Sequence, residues 1–123
     1  MTVMEAINCI DNLKHNTYSH ADKLLWLSRL DGMVKRLIID THEGGDSAPF
    51  TPYCGDTSGD TELLVPAPFD ELYLRWLEAQ IDYSNGEYSR YNNSMAMCHT
   101  AWEAFRNYYN ARHTPIGQRM RFF

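Results

Sequence analysis

Long apolar runs are missing from this chain: no stretch approaches the roughly 20 residues that a membrane-spanning helix needs. The first residues lack a basic stretch followed by an apolar one, so no signal peptide is expected. Cysteine is scarce. Cys9, Cys54 and Cys98 are odd in number and widely spaced, which fits neither a disulfide framework nor a zinc site, and reduced thiols in a cytosolic setting are the expectation. Phosphate-binding glycine loops, nucleophile elbows and Cys-x-x-Cys motifs are all absent. The histidines, His15, His20, His42, His99 and His113, form no His-x₃-His pair with a Glu beside it. His99 adjoins Cys98, but neighbours on a helix do not face each other, so no Cys–His nucleophile follows. These absences give no support to catalysis. The chain is expected not to be an enzyme and to need no cofactor and no metal.

Positive charge is also short. The net charge of −5 disfavours non-specific nucleic-acid binding, and no sequence-specific nucleic acid and no membrane are expected as partners. The charge is unevenly spread. Residues 40–62 carry Asp40, Glu43, Asp46, Asp56, Asp60 and Glu62 without one Lys or Arg, whereas residues 103–123 set Arg106, Arg112, Arg119 and Arg121 against Glu103 alone. Solvated surface is the common reason for such asymmetry; head-to-tail complementarity between copies is the other.

What remains is ordinary globular material. A length of 123 residues with 44% hydrophobic and 22% charged content argues for one folded, soluble domain spanning 1–123, with a core of its own. Thr2-Val3-Met4-Glu5 reads as a capping box, followed by a stripe of Val3, Ala6, Ile7, Ile10 and Leu13. Ser19-His20-Ala21-Asp22 is a second helix start. Leu24, Leu27, Leu30, Val34, Leu37 and Ile38 follow at spacings of three and four, the clearest amphipathic helix in the chain. Gly32 interrupts it at a cost of about 1 kcal/mol relative to Ala, and marks a kink or a close helix contact.

Residues 42–61 read as a long acidic loop rich in Gly and Pro, of the kind that carries function or stays disordered. Phe50, Tyr53 and Cys54 predict that part of it docks. Glu62-Leu63-Leu64-Val65 is an extended run whose partner is either that loop or a neighbouring subunit. Pro68 suits the first turn of a helix, with Asp70 and Glu71 complementing its dipole. Phe69, Leu72, Tyr73, Trp76, Leu77 and Ile81 form its buried stripe, and Asn85-Gly86 breaks or kinks it. Tyr91, Met95, Cys98, Trp102, Phe105 and Tyr109 repeat every three or four residues and predict antiparallel packing on another helix, ended by Thr114-Pro115 and Gly117. The fold class is mainly α: a compact bundle of about four helical segments with a long loop and at most a short strand or hairpin.

Asp40-Thr41-His42-Glu43 with Asp46 has ligand types that suit a divalent cation, but lacks the twelve-residue calcium-loop spacing. Asp56-Thr57-Ser58-Gly59-Asp60 resembles a calcium loop only superficially, and an acidic solvated loop is the reading both stretches favour. The tail, residues 114–123, joins cations to large apolar groups. Arg119, Arg121, Phe122 and Phe123 suit docking on a partner better than stacking on nucleic acid, since two cations oppose an acidic remainder.

Two longer runs carry a resemblance. Leu64-Val65-Pro66-Ala67-Pro68-Phe69-Asp70-Glu71-Leu72-Tyr73 leads to Trp76-Leu77-Glu78-Ala79-Gln80-Ile81-Asp82. Tyr88-Ser89-Arg90-Tyr91-Asn92-Asn93-Ser94 leads to Ala101-Trp102-Glu103-Ala104-Phe105-Arg106-Asn107-Tyr108-Tyr109. Over roughly residues 60–117 the chain resembles small proteins encoded among the structural genes of tailed phages and prophages of Gram-positive hosts. More broadly, it resembles head–tail connector proteins. The resemblance implies a virion assembly protein of the neck, made in the host cytoplasm. Copies would form a ring between portal and tail, with portal and tail or neck proteins as partners. It carries over no active-site residue. Two readings compete with it: a small phage-encoded regulatory module binding a host protein through its Tyr and Trp surface, and a metal-dependent enzyme using the acids of residues 40–62.

Overall fold

The computed structural model describes residues 1–42 and 49–113. Among these, helix α1 spans Val3–Leu13, α2 spans His20–Val34, α3 spans Glu71–Ser84 and α4 spans Tyr88–Arg112. α2 runs without a break into one turn of π-helix, Lys35–Ile39. The helices pack as a compact bundle. α3 and α4 form an antiparallel hairpin with the most extensive interface, and α1 and α2 pack on each other and on α3.

Local chemistry sets the helix ends. Thr2 Oγ1 accepts from Glu5 N–H while the Glu5 carboxylate accepts from Thr2 N–H, the capping box read from the sequence. Ser19 Oγ accepts from Asp22 N–H at the start of α2. Gly86, at φ +77°, takes the left-handed conformation that turns the chain from α3 into α4. Pro68 lies before α3 rather than in its first turn: the Ala67–Pro68 peptide is cis, and the chain turns through Phe69 N–H to the Pro66 carbonyl before α3 starts at Glu71.

The predicted stripes form the core. Val3, Ala6, Ile7 and Ile10 of α1 meet Leu24, Leu27, Leu30 and Val34 of α2 and Leu72, Tyr73, Leu77 and Ile81 of α3, with Cys98 and Phe105 from α4. Two assignments fail. Leu13, the last residue of α1, is 68% exposed, where the helix ends beyond the core. Leu37 is 55% exposed. The π turn, with Asp40 N–H bonded to the Lys35 carbonyl, breaks the 3.6-residue register that would have placed Leu37 beside Ile38 in the core. Gly32 faces neither a kink nor another helix: the helix continues through it, and the ring of Phe50 lies beside it, 3.9 Å from where a Cβ would stand.

The extended run finds its partner inside the molecule. Thr2 and Glu62 form an antiparallel bridge, Leu63 N–H donates to the Met1 carbonyl at 3.0 Å, and Val3 N–H donates to the Thr61 carbonyl at 2.9 Å. Neither the loop nor a neighbouring subunit is needed to satisfy these groups. Gly59 accepts from Met4 N–H at 3.0 Å, and a Cβ there would stand 3.2 Å from the Met4 Cβ, a tight approach that a side chain could enter only if Met4 gave way by a few tenths of an ångström.

Asp31, fully buried on α2, ties these parts together. Its Oδ1 accepts from Tyr73 Oη–H at 2.6 Å, and its Oδ2 accepts from Tyr53 Oη–H at 2.5 Å and from Leu64 N–H at 3.2 Å. Tyr73 Oη in turn accepts from Val65 N–H at 2.7 Å, and Tyr53 N–H donates to Ser28 Oγ at 3.0 Å. Burial raises the Asp31 carboxyl above its ordinary value despite these three donors, and burial beside Asp31 raises both tyrosines as well.

Tyr73→Phe leaves the Val65 N–H without its acceptor and Asp31 short of a donor. A loss of about 2 kcal/mol is expected by chemical denaturation, and no measurable loss would remove Asp31 from its central place. The raised carboxyl also has a sign. The folded state holds the Asp31 proton more tightly than the unfolded chain, so this residue's contribution to stability falls as pH rises from the ordinary value of 3.8 through the raised one. The unfolding free energy of wild type minus that of Asp31→Asn should therefore decline across that window. A flat or rising difference contradicts the assignment.

Candidate docking groove

The surface between α2, its π turn, α3 and α4 holds two adjoining cavities. One, of about 540 Å³, is lined by Arg29, Gly32, Arg36 and Gln80; the other, of about 310 Å³, by Leu30, Met95, His99 and Trp102; both share Met33, Leu37 and Trp76. Together they form one groove with an almost wholly apolar bed. Trp76 is fixed in it by its indole N–H, which donates to the Trp26 carbonyl at 2.8 Å. Trp26 is held edge-on by the Tyr18 ring, whose hydroxyl donates to Asn85 Oδ1 at 2.6 Å. The groove is thus braced from the α1–α2 connection and from the end of α3.

The rim is cationic. Lys14 pairs with buried Asp82, Lys23 with Asp11 at 2.5 Å, and Lys35 with Asp40. Arg75 pairs with Glu71 and Glu78, Arg90 with Glu87, and Arg106 with Glu103, while Arg112 lies over the Tyr108 ring. Among the described residues, Arg29 and Arg36 are the two Lys or Arg side chains with neither an acidic nor an aromatic partner, and both stand exposed at the groove. They lie seven residues apart in sequence, one on α2 and one in its π turn, and both line the same cavity.

The candidate residues of the acidic region have other employment. Asp40 is engaged by Lys35. His42 is buried, with Nδ1 bonded to the Ile38 carbonyl at 2.5 Å and Nε2 to Asn110 Oδ1 at 2.7 Å; it packs edge-on against Tyr109, on which His113 stacks. His42 therefore ties the end of the π turn to the end of α4. Glu43 and Asp46 lie outside the described residues, as do Arg119, Arg121, Phe122 and Phe123 and the whole of the 114–123 tail. Asp56 and Asp60 are exposed in the turns after Cys54, where Thr57 Oγ1 accepts from Cys54 N–H and Ser58 Oγ from Asp60 N–H. Among the described residues no group of three or more His, Cys, Asp or Glu side chains is placed to hold a metal ion, and no helix is long and apolar enough to cross a membrane. Cys98 and His99 both reach the groove, but burial pushes the Cys98 thiol up to about 11, which leaves almost no thiolate at neutral pH. A second patch lies at the α3–α4 turn, where exposed Tyr83 stands 5.7 Å, ring centroid to centroid, from exposed Tyr88 and 5.2 Å from half-buried Tyr91.

The groove was not read from the sequence. Met33 and Arg29 carry no signal in the sequence pattern, and Leu37 reads as part of the core stripe. The signal that could have found it is the excess of large apolar side chains on α2 and α4 over what one stripe per helix can bury.

Comparison with protein families, with curated proteins and with solved structures returns no match for this chain. Leu37→Ser should shift stability by no more than about 0.5 kcal/mol, as for other exposed sites. Leu30→Ala, one turn and more away but buried, should cost about 3 kcal/mol. Equal losses in denaturant titrations would mean that Leu37 belongs to the core.

Proposed function

We propose that this chain is a non-catalytic virion assembly protein of a tailed phage, a head–tail connector subunit that joins a ring between portal and tail. The phage context rests on the resemblance over residues 60–117. The observation that favours a docking role is the groove: large, partly exposed apolar side chains and two arginines without acidic partners among the described residues, on a face braced by hydrogen bonds. Exposed apolar surface of this kind marks interaction sites on otherwise water-facing proteins. In this reading the α3–α4 hairpin is the rigid wedge of the subunit, and Arg119, Arg121, Phe122 and Phe123 dock on the portal or on an adjacent copy. The protein acts in the neck of the virion and is made in the host cytoplasm.

Co-assembly tests the proposal. Purified protein mixed with the portal encoded nearby should add ring density beneath the portal in electron-microscope images. Deleting residues 117–123 should leave helix content and thermal unfolding unchanged and abolish that density. Folded, monomeric protein that never associates with the portal refutes the connector reading and leaves the regulatory module, which requires a defined complex with one host protein. A truncation that unfolds refutes the docking role of the tail.

A further inference from the structure

The groove specifies its occupant more closely than the word docking conveys. We infer that it binds an acidic amphipathic helix of a partner protein: one apolar face seated on Met33, Leu37 and Trp76, and two carboxylates about two turns apart paired with Arg29 and Arg36. The inference rests on the reading of this chain as a docking protein, but not on its phage context.

Four observations lead there. The lining residues all lie on helices, whose backbone N–H and C=O groups are bonded within each helix, so the groove offers no strand edge. An extended peptide would find nothing to pair with, whereas a helix needs only an apolar trough. The bed is made of Met33 and Met95 with Trp76 and Trp102. Methionines adapt to irregular apolar surfaces and tryptophans anchor binding energy. Both rim arginines line the same cavity, so two carboxylates carried about two turns apart on one partner helix can meet them together. Finally, both guanidiniums are free of intramolecular acids among the described residues, so pairing them breaks no existing ion pair.

Charge decides between this occupant and the chain's own tail. The tail has apolar anchors in Met120, Phe122 and Phe123, but it would bring Arg119 and Arg121 against Arg29 and Arg36. A nucleic acid would satisfy the arginines but would set phosphates over the apolar bed, in a chain of net charge −5.

The test uses the full chain and a fluorescein-labelled synthetic helix. The peptide carries Glu at two positions seven residues apart, with Leu and Phe between them on the same face. Anisotropy should show saturable binding that weakens with added salt. The same peptide with both Glu replaced by Lys should bind at least about tenfold more weakly. The double variant Arg29→Glu/Arg36→Glu alters two exposed side chains and should unfold like wild type, lose binding of the Glu peptide by a similar factor, and gain binding of the Lys peptide. This exchange is a readout that general damage to the fold cannot produce. Equal binding of the two peptides to wild type, or no effect of the charge reversal, overturns the inference. Binding that appears only after residues 114–123 are removed overturns it in favour of the tail, and displacement of the peptide by an oligo-dT strand overturns it in favour of nucleic acid. No portal is present in this titration, so its failure and the failure of co-assembly are separate results.

Discussion

A carboxylate without a cation organises this molecule. Among the described residues Asp31, fully buried, has no Lys or Arg partner and is met by hydrogen-bond donors that the fold brings to it. It accepts and never donates, which restricts its partners to O–H and N–H groups. The three it finds come from three places: Tyr53 in the loop, Leu64 in the extended run and Tyr73 in α3. Tyr73 passes the constraint on by accepting from Val65 N–H. The run held in this way then pairs with the first residues of the chain and so fixes where α1 begins. Loop, strand-like run, α1 and α3 are therefore all positioned from one side chain on α2. Such networks are stabilising only when every member is satisfied, because removing one partner strands another in a low-dielectric interior.

The groove is the counterpart of that interior. α4 is much longer than α3, and its last turns are secured by rings instead of by a second helix: Phe69 against Tyr108, His42 against Tyr109, and His113 stacked on Tyr109. The π turn places Leu37 at the surface while Val34 and Ile38 remain buried. Single π turns inside α-helices are often found at functional sites because they re-aim side chains in this way. Here the consequence is an apolar bed that no segment among the described residues covers.

The helices, the two hydroxyl caps, the Asn85-Gly86 turn and most of the buried stripes were legible in the sequence, because each depends on neighbours within a few positions. Docking of Tyr53 was legible too, since a large aromatic in a loop otherwise poor in apolar residues needs a reason. What escaped is what depends on distant residues. Nothing local distinguishes Asp31 from the exposed acids around it, and its burial follows only once Tyr53, Leu64 and Tyr73 converge. The π turn has no residue signature, so Leu37 was assigned to the wrong side. The extended run was recognised, but its partner was sought in the loop or in another subunit, whereas the chain's own first residues supply it.

The candidate site follows from the same accounting. The polar side chains within the bundle are engaged: Asp31 by its three donors, Asp82 by Lys14 and Ser94, His42 by Ile38 and Asn110, and Lys23 by Asp11. These groups hold elements of the bundle together. Along the groove, the side chains with unused capacity are exposed Leu37, the half-buried Trp and Met side chains beside it, His99, and two arginines without acids among the described residues. The interior is an apolar core whose few buried polar side chains are paired, and along one groove apolar side chains and two arginines stand partly exposed.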